Sequence, residues 1–144
     1  MTWKIHHVNL PAHDVRESAA FFSAIFGMQE GVFQRPASGG NFRSDPAALA
    51  AFEQDGGSAT LGPNNGLHIV KPVPGFAKAN GLDHNPTIGG HVAITVPDLD
   101  AVMRRLDAAR IPYSDAGQYA MLGFRQIHLY DPSMNLIEIN QRVG

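Results

Sequence analysis

His7-Val8-Asn9-Leu10-Pro11-Ala12-His13-Asp14 is answered in the second half of the chain by His91-Val92-Ala93-Ile94-Thr95-Val96-Pro97-Asp98. Both read His-Val-x-aliphatic, and both carry an Asp at the same offset from the His. The period exceeds those of common solenoid repeats, so it reads as a duplication. A helical pattern follows each stretch: Ser18, Phe21, Phe22 and Ile25 before Gly27 in the first, Leu99, Val102, Met103 and Leu106 in the second. Asp14 and Asp98 stand where an N-cap belongs, with a side-chain oxygen for the unpaired N–H groups of the first turn. Capping accounts for both Asp residues without a catalytic role.

Strand-like segments come next in each half. Candidates in the first are Gly31 to Gln34, Ser58 to Leu61 and Leu67-His68-Ile69-Val70. In the second they are Pro112 to Ser114, Arg125 to Tyr130 and Asn135 to Asn140. Leu67-His68-Ile69 then aligns with Ile137-Glu138-Ile139. The first half is the longer one, and Ser44-Asp45-Pro46 before Ala47 to Gln54 reads as a capped extra helix with Pro in its first turn. Pro72 to Gly90 is rich in Gly and Pro and reads as a linker. The expectation is a single α+β domain over residues 1–144, made of two tandem βαβββ modules. Module one covers about residues 1–72, the linker about 73–89 and module two about 90–144.

Composition narrows the function classes. The 144 residues are 44% hydrophobic and 17% charged, with a formal net charge of -2, as expected of a globular domain with a core. No basic cluster suits a nucleic-acid binder, and no apolar run is long enough to span a membrane. Met1-Thr2-Trp3-Lys4-Ile5-His6-His7 lacks the layout of a signal peptide, which favours the cytoplasm. With no Cys, disulfides and thiolate metal ligands are both excluded.

Four polar residues interrupt apolar strand patterns at corresponding places in the two halves: His7, His68, His91 and Glu138. Strand side chains alternate faces, so each points away from its aliphatic neighbours. If the aliphatics pack under the helices, the four polar residues share the opposite face. One strand histidine is ordinarily a hydrogen-bonded or half-exposed residue, and one strand carboxylate ordinarily faces water. Three imidazoles and a carboxylate at matched positions of a duplicated unit instead suggest a divalent cation, because buried charge needs compensation. The donor set suits Zn, Ni, Co, Mn or Fe(II). His6 competes with His7, but His7 is the one that aligns with His91.

These features resemble the vicinal oxygen chelate superfamily, which includes glyoxalase I, methylmalonyl-CoA epimerase, fosfomycin-resistance thiol transferases, extradiol dioxygenases and bleomycin-binding proteins. His7-Val8-Asn9-Leu10 with Ser18, Phe21, Phe22 and Gly27 looks like the family's first strand and helix. Asp131-Pro132-Ser133-Met134-Asn135-Leu136-Ile137-Glu138 looks like its Asp-Pro-x-Gly-Asn-x-x-Glu ending, with Met134 in place of the Gly. The resemblance implies a curved mixed sheet around a metal-binding cavity, with ligands from the first and last strand of each module. Dioxygenases and fosfomycin-resistance enzymes use three, corresponding to His7, His91 and Glu138. Glyoxalase I and the epimerase use a fourth at the place of His68, which favours a lyase or isomerase, although glyoxalase I usually has Glu there and the epimerase Gln.

The activity so implied is proton removal next to a carbonyl of a small oxygenated substrate, through a metal-stabilised enediolate or enolate. Glu138 is the candidate base. Alternation puts Gln126, His128 and Tyr130 on one face. His128 occupies a place where extradiol dioxygenases commonly carry an acid/base Tyr, so it is a second catalytic candidate or a hydrogen-bonding neighbour. Asn9, Gln126, Arg125 and Tyr130 are candidate substrate contacts, although an Arg such as Arg125 is ordinarily a surface residue. His84 belongs to a loop. Two alternatives stand: an Fe(II)-dependent ring-cleaving dioxygenase, and a metal-free drug- or metabolite-binding protein of the bleomycin-resistance type. The resemblance also implies a homodimer, with the site inside one chain or across the interface.

Overall fold

The computed structural model describes residues 2–26, 28–35, 49–54, 61–118, 121–130 and 136–144. The first half runs β1 (Lys4–Pro11), α1 (Val15–Phe26), β2 (Glu30–Gly31), β3 (Leu49–Glu53) and β4 (Gly66–Val70). A short α2 (Phe76–Ala79) lies in the connecting stretch. The second half runs β5 (His91–Thr95), α3 (Leu99–Ala109), β6 (Ser114–Gly117), β7 (Phe124–Tyr130) and β8 (Leu136–Arg142). Each half is thus a βαβββ unit, as the repeat implies.

The eight strands form one curved, unclosed sheet in the order β2-β3-β4-β1-β5-β8-β7-β6. β1 runs parallel to β4, and β5 runs parallel to β8. The two units join where β1 meets β5 antiparallel. The strands expected to carry the metal ligands, β4, β1, β5 and β8, are therefore consecutive in the middle of the sheet.

Two apolar clusters lie on the helix-covered side. Val15, Ala19 and Phe22 of α1 pack on Leu10, Ala50, Phe52, Leu67 and Ile69. Leu99, Val102, Met103 and Leu106 of α3 pack on Ile94, Ile127, Leu129, Ile137 and Ile139. Alternation then turns the polar strand residues to the other face, as the sequence pattern predicts. Both helices start on the expected caps: Asp14 Oδ1 accepts from Glu17 N at 3.0 Å, and Asp98 Oδ1 from Ala101 N at 2.8 Å.

Several expectations need correction. Leu49–Glu53 is a strand between β2 and β4, not part of a helix, and Ser44 to Ala47 fall outside the described residues. In α1 the buried stripe starts at Val15, whereas Phe21 and Ile25 are more than half exposed. β2 covers only Glu30–Gly31, and the second strand of the second half, β6, begins at Ser114. Leu61 is in a turn, and the rest of the segment expected as a strand from Ser58 lies outside the described residues. So do Asp131 to Asn135. No helix among the described residues is long and apolar enough to cross a membrane.

Candidate metal centre

β1 places His7 between two small residues. In register, His7 lies opposite Gly66 on β4 and opposite Ala93 on β5. Ala93 in turn lies in register with Glu138 on β8. The missing bulk at Ala93 lets side chains from β1 and β8 reach one another over the strand between them. His91 opens β5 and reaches the same point.

The result is a tight triangle of donors. His7 Nε2 and His91 Nε2 are each 3.3 Å from Glu138 Oε2 and 3.4 Å from each other. All three residues are buried. Donors about 2.1 Å from one ion at tetrahedral angles lie about 3.4 Å apart, so these atoms already have the spacing of a ligand set. They converge within a single chain. Among the described residues, His7, His91 and Glu138 form a group that could hold a metal ion.

The protonation states suit that use. Burial holds His7 below its usual pKa, against the opposing pull of Glu138, so its ring is neutral at pH 7. Burial alone would raise Glu138, but the nearby ring of His7 and N–H groups from His128, His7 and His91 hold it well below the usual carboxylate range. Two imidazoles and an ionised carboxylate at the bottom of a cavity are a fitting donor set for Zn, Ni, Co, Mn or Fe(II).

The carboxylate is oriented from behind. Asn140 Nδ2 donates to Glu138 Oε1 at 2.8 Å, and Thr95 Oγ1 donates to Asn140 Oδ1 at 2.7 Å. Oε1 is thereby occupied, and Oε2 alone faces the histidines. Neither Asn140 nor Thr95 was singled out from the sequence. Both could have been found by alternation, since Asn140 follows Glu138, and Thr95 follows His91, on the same strand face.

The family model for the Glyoxalase/Bleomycin resistance protein/Dioxygenase superfamily matches residues 4–139. The chain belongs to this superfamily. Solved structures with the same superfamily fold include a variant of Streptomyces coelicolor methylmalonyl-CoA epimerase in complex with 2-nitronate-propionyl-CoA. It is 17% identical, has a TM-score of 0.65, and the match covers 98% of each chain. A methylmalonyl-CoA epimerase in complex with methylmalonyl-CoA and NH4+ is 16% identical, with a TM-score of 0.66, over 100% of this chain and 97% of that one. A glyoxalase/bleomycin resistance protein/dioxygenase superfamily member from Vibrio splendidus is 14% identical, with a TM-score of 0.59, over 97% and 99%. At these identities the likeness speaks for the fold. No curated protein matches the chain.

The remaining candidates of this superfamily member fall into two groups. His68 and Gln126 line the cavity beside the triangle, as do Asn9, Phe33, Leu49 and Met121. The ring of His68 stacks on that of His7, with centroids 4.0 Å apart and planes at 19°. Its Nε2, however, donates to the carbonyl of Asn64 at 2.6 Å. Burial, and His7 beside it, hold His68 well below its usual pKa. Asn9 Nδ2 and both polar atoms of the Gln126 amide are buried and make no hydrogen bond among the described residues. His128 is buried, with Nε2 3.6 Å from Glu138 Oε2.

Arg125 and Tyr130 are placed elsewhere. Arg125 shares the helix-covered face with Ile127 and Leu129. Its guanidinium is engaged by Asp100 at 2.7 Å and Asp115 at 3.1 Å. Tyr130 is on the cavity face but 39% exposed, beside the ring of His84 at 4.9 Å and outside the cavity lining. His84 lies in a loop, its Nδ1 against Ser114 Oγ.

Proposed function

We propose that this chain is a divalent-metal-dependent lyase or isomerase of the glyoxalase type, moving a proton next to a carbonyl of a small oxygenated substrate. The observation that supports this most is the triangle of His7 Nε2, His91 Nε2 and Glu138 Oε2, with sides of 3.3, 3.3 and 3.4 Å. His7, His91 and Glu138 would hold the ion, with His68 as a fourth ligand once its nitrogen leaves Asn64. A bound divalent ion supplies Lewis-acid polarisation of substrate oxygens and stabilises negative charge beside the carbonyl.

The chain's own residues do the rest. Asn9 Nδ2 and the Gln126 amide, buried without partners among the described residues, offer N–H donors and one carbonyl acceptor to substrate oxygens and hydroxyls. Phe33, Leu49 and Met121 hold the apolar part of the substrate and keep water out. Glu138 would leave the ion transiently to take the proton at Oε2, with Asn140 keeping Oε1 fixed. His128, 3.6 Å from that oxygen, steadies the carboxylate.

One observation favours a second reading. With His68 Nε2 held by Asn64, the free donors are two His and one Glu, the set used by Fe(II) oxygenases that leave positions open for substrate and oxygen. Metal analysis of protein purified without chelator separates the two, followed by two assays: isomerisation of the methylglyoxal–glutathione hemithioacetal, and oxygen uptake with catechols. A non-iron divalent ion with isomerisation supports the lyase or isomerase. Iron with oxygen uptake supports the dioxygenase. Protein that binds no ion and turns over neither substrate leaves the metal-free binding protein as the better reading. Glu138→Gln tests the base, since full activity with the metal retained would remove Glu138 from that role.

A further inference from the structure

Gln126 is buried with an amide that the rest of the fold leaves open. It is 1% exposed, and among the described residues neither Nε2 nor Oε1 makes a hydrogen bond. The strand pairing explains why. On β8 it lies opposite Asn140, whose own amide is engaged by Thr95 and Glu138. On β6 it lies opposite Gly117, which has no side chain to offer. Arg125 and Ile127, its neighbours in the chain, turn to the helix-covered face. The amide therefore has the cavity before it.

Buried polar groups are nearly always paired, so an amide open at both ends points to a partner from outside the chain. The two ends ask for different partners. Nε2 is a donor, and any substrate oxygen satisfies it, as it would Asn9 Nδ2 on the same cavity wall. Oε1 is an acceptor, which a carbonyl, a carboxylate or an ether cannot serve. Among the described residues it is the one buried oxygen lining the cavity that lacks a partner. Exchanging the two ends of the amide changes nothing, because both are open. A hydroxyl is the group that can meet either end, since it both donates and accepts.

We infer that Gln126 is a specificity-determining residue, which selects substrates carrying a hydroxyl besides the oxygens held at the ion. This deepens the proposed function and rests on it: the ion holds the reacting oxygens, and Gln126 reads the rest of the molecule. A site that hydrogen-bonds such a group rejects the analogue lacking it, because the amide is then left buried and unpaired. The same amide is a burden on the free protein, and an apolar side chain of similar length removes that burden.

The test uses the full chain loaded with zinc, and N-methylhydroxamates as probes. These bind zinc through two oxygens and, once ionised, carry no donor at that end. Their acyl chains bear a hydroxyl one, two or three carbons beyond the carbonyl, and each is compared with its methyl ether. Titration calorimetry should show at least one hydroxyl compound bound about 10- to 100-fold more tightly than its ether by wild type. Gln126→Met keeps the length of the side chain without its polar ends, and the preference should largely vanish there. Urea titration of the metal-free proteins should place Gln126→Met at or above wild type. The inference is overturned if wild type prefers no hydroxyl compound, or if the preference survives in Gln126→Met. It is overturned too if Gln126→Met and Gln126→Leu both unfold at lower urea than wild type, which would mean that the amide is committed within the protein. If wild type takes up no zinc, the proposed function fails and this inference falls with it. Zinc uptake without a hydroxyl preference overturns this inference alone.

Discussion

His7 and Glu138 meet across a strand to which neither belongs. Their side chains come within 3.3 Å over Ala93, which is in register with both. The centre therefore depends on the smallness of one residue that is itself no ligand. Ala93 is fully buried, so a larger side chain there has to enter the space between the two donors. We predict that Ala93→Leu abolishes tight zinc binding, weakening it on the order of 100-fold or more. Overpacking should cost about 1–3 kcal/mol of stability. Chelator competition beside a urea titration checks both. Wild-type affinity in a folded Ala93→Leu protein would show that His7 and Glu138 do not act on one ion.

Asn140 supplies a second prediction. Its amide is held by Thr95 on one side and holds Glu138 Oε1 on the other. Removing it frees the carboxylate to rotate and leaves a buried acceptor unmet, a cost of about 1–3 kcal/mol. Asn140→Ala should therefore weaken metal binding by about tenfold or more while leaving His7 and His91 in place. Asn140→Asp should be worse, because it sets a second negative charge against Glu138. Equal affinities in wild type and both variants would show that Glu138 is not oriented from this side.

The duplication, the two capped helices and the face shared by His7, His91 and Glu138 were legible because periodicity records which side of an element is buried. Three features were not. Pro46-Ala47-Ala48-Leu49-Ala50-Ala51-Phe52 reads as a helix because alanine is the strongest helix former. Pairing of Leu49–Glu53 with β4 on one side and β2 on the other overrides that preference. Strict alternation sets His6 opposite to His7, and only the bulge, a property of the pairing with β5, buries both. Arg125 falls in a strand of candidate site residues, yet its parity puts it with Ile127, where Asp100 and Asp115 take it up. Local pattern gives the face a residue occupies; which neighbours it meets there depends on strand order.

His68 decides between the two catalytic readings. In the present geometry its Nε2 bonds to Asn64 O at 2.6 Å, and its ring stacks on His7. If it is a fourth ligand, His68→Leu should lower zinc affinity by about 10- to 100-fold and depress isomerisation. If the centre uses three donors, the variant should retain its metal and change only the shape of the cavity wall. Extended X-ray absorption of the zinc-loaded protein gives an independent count, because loss of one imidazole shell in His68→Leu is visible directly. An unchanged shell would remove His68 from the ligand set.

The buried histidines should also make stability fall in mild acid. Burial, and secondarily His7, push His6 down from 6.5 to about 4 in the folded chain. The unfolded chain titrates it near 6.5. Between those values the unfolded state holds a proton that the folded state does not. The stability this provides is complete above about pH 6.5 and is lost as pH falls toward 4, by about 1.4 kcal/mol per pH unit for one such group. His7 and His68, shifted in the same direction by burial, add to the loss. Glu138 is shifted down, so the stability it provides is lost only below about pH 4.5, as protonation of the carboxylate approaches. Urea midpoints of chelator-treated protein at pH 7, 6 and 5 should therefore decline, and more steeply in wild type than in His6→Phe. Parallel slopes for the two proteins would show that His6 is not among the groups responsible.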